Sequence, residues 1–369
     1  MRILIAPDKF KGSLKAAEAA EAIRDGFSRV FPDAHYEFAP IADGGEGTAA
    51  IFHQSMAGEL IEAKAHDALG RPISATYSWF ADKKMAVIEM SEASGLWRLL
   101  CAERNPRQAT TYGTGELMAA AIKRGAESIL VTLGGSATND AGLGMAAALG
   151  WTFLDATKNA IEARPGSFSM IQHIVPPAER LSCRITALCD VTNPLLGPNG
   201  ATAVYGPQKG ATPSMLETLE SGLTHVADLC RDHLDLDFRD APGAGATGGL
   251  AFGLITFCGA TLEPGFDAVA GLLNLDEKIA RADFVITGEG RLDAQSLHDK
   301  GPVAIANLAR RHNSPVIAFA GEISGALSAF DACIPITNGA LTLDESCARA
   351  AELLRDAAER TARLIKISL

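Results

Sequence analysis

Short apolar runs, unbroken by polar alternation, set the strongest limit on how this chain folds. They are RILIA (2–6), SILVTL (128–133), CRITALCD (183–190), DFVIT (283–287), SPVIAFAG (314–321) and ACIPIT (332–337). None alternates apolar with polar as a strand with one wet face does. Strands of this kind are buried on both faces, as in a parallel sheet covered by helices. Helix-period segments follow several of them, near 13–30, 138–149 and 301–312, and an amphipathic pattern over about 343–365 closes the chain. Strand-then-helix repetition predicts an α/β protein with a doubly wound, Rossmann- or flavodoxin-like domain.

Two stretches break that rhythm. SATYSWFADKKMAVIEM (74–90) reads as an antiparallel hairpin around a polar turn at Asp82–Lys84. From Asn193 to about Glu277 the chain is rich in Gly and Pro, with an amphipathic helix near 213–232. A length of 369 residues suits two domains. The expected division is a Rossmann-like domain from 1–60, 106–190 and 278–369, and a second, inserted α/β domain from 61–105 and 191–277.

Charge and composition exclude several classes. The net charge is −11 and no long Lys/Arg run occurs, so no nucleic-acid partner is expected. The most apolar long stretch, LAFGLITFCGATL (250–262), is too short to span a bilayer, and no membrane partner is expected. The N-terminus lacks the pattern of a signal peptide. Seven scattered cysteines, an odd number without C-x-x-C, read as reduced core thiols of a cytoplasmic protein. The eight histidines show no metal spacing. Neither G-x-x-x-x-G-K-[ST], H-E-x-x-H nor G-x-S-x-G is present.

In a doubly wound sheet, ligands gather at the carboxyl ends of the strands. The segments that follow the apolar runs are unusually polar. DKFKGS (8–13) offers Asp8 to take a proton or hold a metal, Lys9 and Lys11 to neutralise phosphate, and Ser13 to cap a helix. PIADGGEGT (40–48) sets Asp43 and Glu46 among glycines. LGGSATNDAGLG (133–144) places Gly134, Gly135 and Ser136 at a strand end, where free N–H groups make an anion site, followed by Thr138, Asn139 and Asp140. CDVTNPLLGPNGA (189–201) puts Asp190 at a strand end, with Asn193 in a Pro-stiffened loop. GPQKGA (206–211) holds Lys209 in a Gly-bounded turn. PGAGATGGLAFG (242–253) contains a literal G-x-G-x-x-G at Gly243, Gly245 and Gly248. It lacks a clear preceding strand, which disfavours a dinucleotide reading and leaves backbone cradling of phosphate. TGEGRLDAQSLHDKG (287–301) carries Glu289, Arg291, Asp293 and Lys300. Gly-rich cradles, lysines and carboxylates together suit a nucleoside triphosphate, a divalent cation and a small acid substrate.

With TYGTGEL (111–117), these motifs resemble those of the bacterial class I glycerate kinases, in order and spacing, along essentially the whole chain. The resemblance implies two α/β domains with the site in the cleft, ATP and Mg²⁺ as cofactors, and cytoplasmic phosphorylation of D-glycerate to 2-phospho-D-glycerate. The chain departs from the family pattern at Asp299, where Gly usually precedes the Lys, at Ser296 in place of Thr, and at Ala141 in place of Gly.

On that reading Asp190 is the base for the glycerate hydroxyl, with Asp8 the next choice, and Lys11 steadies the transferred phosphoryl group. Arg291, Lys9 and Asn193 would bind glycerate. Gly134, Gly135, Ser136, Gly243, Gly245, Gly248, Lys209 and Lys300 would bind the nucleotide phosphates. Asp43, Glu46 and Asp293 would hold Mg²⁺. A glycerate 3-kinase or a kinase of another small hydroxy acid is the nearest alternative. A nicotinamide-dependent dehydrogenase or a non-enzymatic ligand-binding protein is more remote. The oligomeric state, a homodimer included, is open at this level.

Overall fold

The structure is a computed structural model that describes residues 1–42, 44–179, 181–292, 301–324 and 328–368. In the first half of the chain the strands are β1 (Arg2–Ile5), β2 (His35–Phe38), β3 (Glu59–His66), β4 (Pro72–Phe80), β5 (Met85–Glu89), β6 (Ser128–Thr132), β7 (Thr152–Leu154) and β8 (His173–Val175). In the second half they are β9 (Arg184–Leu188), β10 (Thr261–Glu263), β11 (Phe284–Leu292), β12 (Val316–Ile323) and β13 (Ala332–Pro335). The chain divides into two compact units, Met1–Asp43 with Phe266–Leu369, and Gly44–Gly265.

The first unit is built on a sheet of order β13-β12-β11-β1-β2 in which every neighbouring pair is parallel. Counted along this unit's own chain, the order is 2-1-3-4-5, the flavodoxin-like arrangement. Ile3, Leu4 and Ile5 are all buried, as strands covered on both faces require. The helices Ala16–Ser28 and Ala350–Ser368 pack on one another and on this sheet. Their contact is built from Ala19, Ala20, Ile23, Leu354, Ala357 and Ala358, whose mostly small side chains allow close packing against Ile3, Ile5 and Phe319.

The second unit is inserted between β2 and β11. Its main sheet has the order β10-β9-β6-β5-β4-β3. The pairs β10–β9, β9–β6 and β6–β5 are parallel, while β5–β4 and β4–β3 are antiparallel. The expected hairpin is present: Ser78 faces Val87 and Phe80 faces Met85, across a turn at Ala81–Lys83. The expected helix near 213–232 forms as Pro213–Leu234, with Thr212 accepting the Met215 N–H at its start.

The observed division differs from the expected one. Residues 44–60 and 106–190 belong to the second unit, because β6 and β9 pair with β5 rather than with β1. An apolar run announces a buried parallel strand; it does not say which sheet takes it. The helix expected at 138–149 is confined to Leu143–Ala148. Among the described residues no helix is long and apolar enough to cross a membrane. The cysteines are unpaired; Cys183 and Cys230 are buried, whereas Cys101 is exposed rather than in the core.

Candidate functional site

The first unit has its topological switch point between β1 and β11, where connections leave the sheet in opposite directions and ligands collect in such folds. Asp8 stands immediately beyond β1 and is 6% exposed. Its N–H donates to the Gly288 carbonyl at 2.9 Å, and its Oδ1 accepts the Lys9 N–H at 2.6 Å. A Cβ on Gly301 would lie 3.0 Å from Asp8 Oδ2, so the carboxylate is against the first residue of the helix Gly301–Arg311. A helix N-terminus stabilises an anion there. The chain then turns tightly, with Phe10 bridging Leu14 and Gly12 at φ 80°. This turn leaves Lys9 half-buried and Lys11 exposed. Ser13 does not cap the next helix: its hydroxyl donates to the Phe10 carbonyl, and Glu18 accepts the Lys15 N–H at the helix start.

The segment after Thr287 was expected to be a loop, but β11 continues to Leu292 and pairs with β12. Glu289 and Arg291 therefore lie on a strand. Arg291 is opposite Glu322, 3.5 Å from its carboxylate, and both side chains are largely exposed. Asp43, Asp293 and Lys300 lie outside the described residues, as do Ser296 and Asp299.

The second unit brings another group together at the carboxyl ends of β5, β6 and β9, three neighbours in one sheet. The Leu133 N–H bridges the Gly44 and Leu188 carbonyls, at 3.0 and 3.2 Å. Gly134 packs against the Gly45–Glu46 backbone so closely that a Cβ would come within 2.7 Å of Gly45 Cα. Gly135 is left-handed at φ 65°, and a Cβ there would lie 3.8 Å from Glu46 Oε2. The N–H groups of Gly134, Gly135 and Ser136 have no partner among the described residues. Consecutive free N–H groups around a left-handed glycine form a nest for an anion. On β9's side, half-buried Asp190 accepts the Gly265 N–H at 2.8 Å. Gly134, Gly135, Ser136, Glu46 and Asp190 are thus gathered at one sheet end.

Glu89, which sequence reasoning missed, ends β5 in this cluster. It is buried and accepts the Gly47 N–H at 3.0 and 3.2 Å and the Ser91 hydroxyl at 3.1 Å. Burial holds its carboxyl above the usual range against those donors, and the nearby Glu92 and Glu46 add to the rise. The signal was a carboxylate closing the apolar run MAVIE, absorbed into the hairpin reading.

Other candidates are committed to the fold. Asp140 is fully buried and accepts the Thr111 N–H and hydroxyl, at 2.7 and 2.8 Å, and the Gly142 and Gly144 N–H groups. Burial raises its carboxyl despite these donors. Lys209 is 2% exposed, with Nζ donating to the Thr138 carbonyl at 2.6 Å. Burial lowers its ammonium to about 7, opposed by Asp140. Asn193 gives its amide to the Asn199 carbonyl and accepts the Tyr205 hydroxyl. Gly245 donates its N–H to the Asn193 carbonyl, Ala246 donates to Gly243 and Gly249 to Gly245. A Cβ on Gly248 would meet the Thr138 carbonyl at 2.0 Å. The glycine-rich segment is therefore shaped by backbone packing on 138–141 and 193–194, rather than standing as an open cradle.

Among the described residues no three His, Cys, Asp or Glu side chains converge on a metal-sized position. Mg²⁺ does not require such a cage, since it binds through one or two carboxylates plus waters and phosphate oxygens.

A buried carboxylate followed by two lysines in one unit, and a run of N–H groups near carboxylates in the other, are features of an α/β protein suited to anionic ligands. The glycerate kinase family model matches residues 3–366. A glycerate kinase of Bacillus subtilis (strain 168) is 45% identical over 377 residues, covering 100% of this chain and 98% of that protein. A glycerate 2-kinase of Escherichia coli (strain K12) is 42% identical, covering 94% and 93%. A solved candidate glycerate kinase 2 from Salmonella typhimurium LT2 superposes with a TM-score of 0.85 at 42% identity, over 100% and 99% of the two chains. The chain belongs to the glycerate kinase family, and is a phosphotransferase with an alcohol group as acceptor.

Proposed function

We propose that this chain transfers the γ-phosphoryl group of ATP to the C2 hydroxyl of D-glycerate, forming 2-phospho-D-glycerate and ADP in the cytoplasm. The observation that carries the reading is the run of free N–H groups at Gly134, Gly135 and Ser136 beside Asp190 and Glu46. Phosphoryl transfer asks mainly for positioning and for neutralisation of the charge on the phosphate oxygens. The nest receives the nucleotide phosphates. The name of the Escherichia coli relative supports the C2 position.

In the reaction, a bond forms between the substrate hydroxyl oxygen and the γ-phosphorus, and the bond from that phosphorus to the β–γ bridging oxygen breaks. Asp190 accepts the hydroxyl proton. Its Oδ1 takes the Gly265 N–H at 2.8 Å, which helps to orient the carboxylate at the end of β9. Asp8 is the second choice for this role. Lys11 steadies the transferred group, and Lys9 and Arg291 bind the glycerate carboxylate. Glu46, with Asp43 and Asp293, would hold Mg²⁺, which neutralises phosphate charge when bound. Phosphorus NMR of the reaction mixture tests the reading. Signals for ADP and a glycerate phosphomonoester are expected with D-glycerate. ADP and inorganic phosphate alone, with no phosphomonoester, would overturn it.

A further inference from the structure

β3 is a terminal strand of the second unit's sheet, and its outer edge pairs with no other strand among the described residues. It is eight residues long, ELIEAKAH, and unusually accessible. Glu59, Leu60, Glu62 and Lys64 are exposed, Leu60 by 58%. A long open edge is a template for another strand, and proteins normally blunt it with charges or short length. Here the charges do something different. Glu62 and Lys64 are two residues apart, so they point to the same face and have opposite signs.

We propose that β3 pairs antiparallel with β3 of a second copy of this chain, about a two-fold axis through Ala63. Such an axis sets Ala63 opposite itself and Ile61 opposite Ala65. It brings Glu62 opposite Lys64 of the partner subunit, twice by symmetry. Opposite charges facing across an antiparallel pair stabilise it, and like charges destabilise it. Moving the axis one residue either way stacks Glu62 on Glu62 or Lys64 on Lys64. The charge pattern therefore favours this register over its two neighbours and is self-complementary, as an isologous interface requires. Glu62 is held in place by the Ser74 hydroxyl of β4, and Lys64 has no ion-pair partner among the described residues. A groove of about 790 Å³ beside the strand, lined by His66, Ile73 and Glu116 among others, offers adjoining surface.

Sedimentation velocity of the full chain tests the proposal. The unmodified protein is expected to sediment as a dimer at micromolar concentration. Glu62→Lys and Lys64→Glu each place like charges opposite one another twice, and each should raise the dimer dissociation constant at least about tenfold. The double variant Glu62→Lys/Lys64→Glu restores complementarity and should return to the dimer. Circular dichroism of every variant should match the unmodified protein, because both side chains are exposed. A monomeric unmodified protein, a dimer indifferent to the single reversals, or a double variant that stays monomeric would each overturn the proposal.

Discussion

Lys209 makes a quantitative prediction about stability against pH. Its Nζ is enclosed and donates to the Thr138 carbonyl. Burial takes its ammonium from 10.5 to about 7, with Asp140 pulling the other way. A depressed pKa in the folded state means that the unfolded chain binds more protons between those two values. Stability from this group is therefore full above 10.5 and lost as pH falls towards 7. Integrated from pH 7.5 to 9.5, the gain is about 2–3 kcal/mol. Lys209→Met keeps most of the volume and removes the titration. It also leaves the Thr138 carbonyl without its donor, at a constant cost of about 1–3 kcal/mol. Urea unfolding at stepped pH, comparing both proteins, cancels every other titrating group. The stability difference should widen by that amount across the range. Parallel curves would show that Lys209 titrates as a surface lysine does, and the enclosure would be wrong.

Other consequences are as direct. Asp190→Asn should lower kcat about 10²- to 10⁴-fold with KM for glycerate nearly kept, and near-normal turnover in a folded protein removes Asp190 as the base. Lys11→Ala should reduce turnover without loss of stability, since its side chain is exposed; unchanged kcat/KM would refute its role. Gly248→Ala places a Cβ 2.0 Å from the Thr138 carbonyl at φ 72°, and should cost roughly 2–5 kcal/mol, read as a lower urea midpoint. Burial pushes the Cys189 thiol to about 11 and the Cys230 and Cys258 thiols to about 12, while Cys101 is exposed. Thiol labelling of the native protein at neutral pH should mark Cys101 first, and rapid labelling of Cys230 contradicts the packing.

The parallel strands were legible because they leave unbroken apolar runs: β1, β6, β9 and β13 fall within them, while β11 and β12 begin in them and run on to Leu292 and Ile323. The hairpin of β4 and β5 was legible from its polar turn. The division into units was not, because β6 and β9 look alike to either sheet and only pairing decides. The glycines of the motif at 133–144 form a turn whose N–H groups have no partner among the described residues, whereas its Asp140 turns inward to accept from Thr111, Gly142 and Gly144. Sequence cannot separate a polar residue that faces ligand from one that satisfies buried backbone. Lys209 and Asn193 share that ambiguity: each stands in a Gly- or Pro-bounded loop, and each is spent on backbone or side-chain partners within the unit. Glycines mislead in the same way. Gly248 is required by a crossing chain at Thr138, whereas Gly135 is required by the turn that frees its neighbours' N–H groups.

The central claim is that the C2 oxygen of D-glycerate receives the phosphoryl group. The most direct test supplies ATP, Mg²⁺ and D-glycerate, and reads the product through enolase and pyruvate kinase with phosphoglycerate mutase left out, after free ADP from the kinase step is counted separately. Enolase accepts only the 2-phosphate, so pyruvate formed in step with the kinase's own ADP is the predicted result. ADP release with no pyruvate until mutase is added would identify the 3-phosphate and contradict the account.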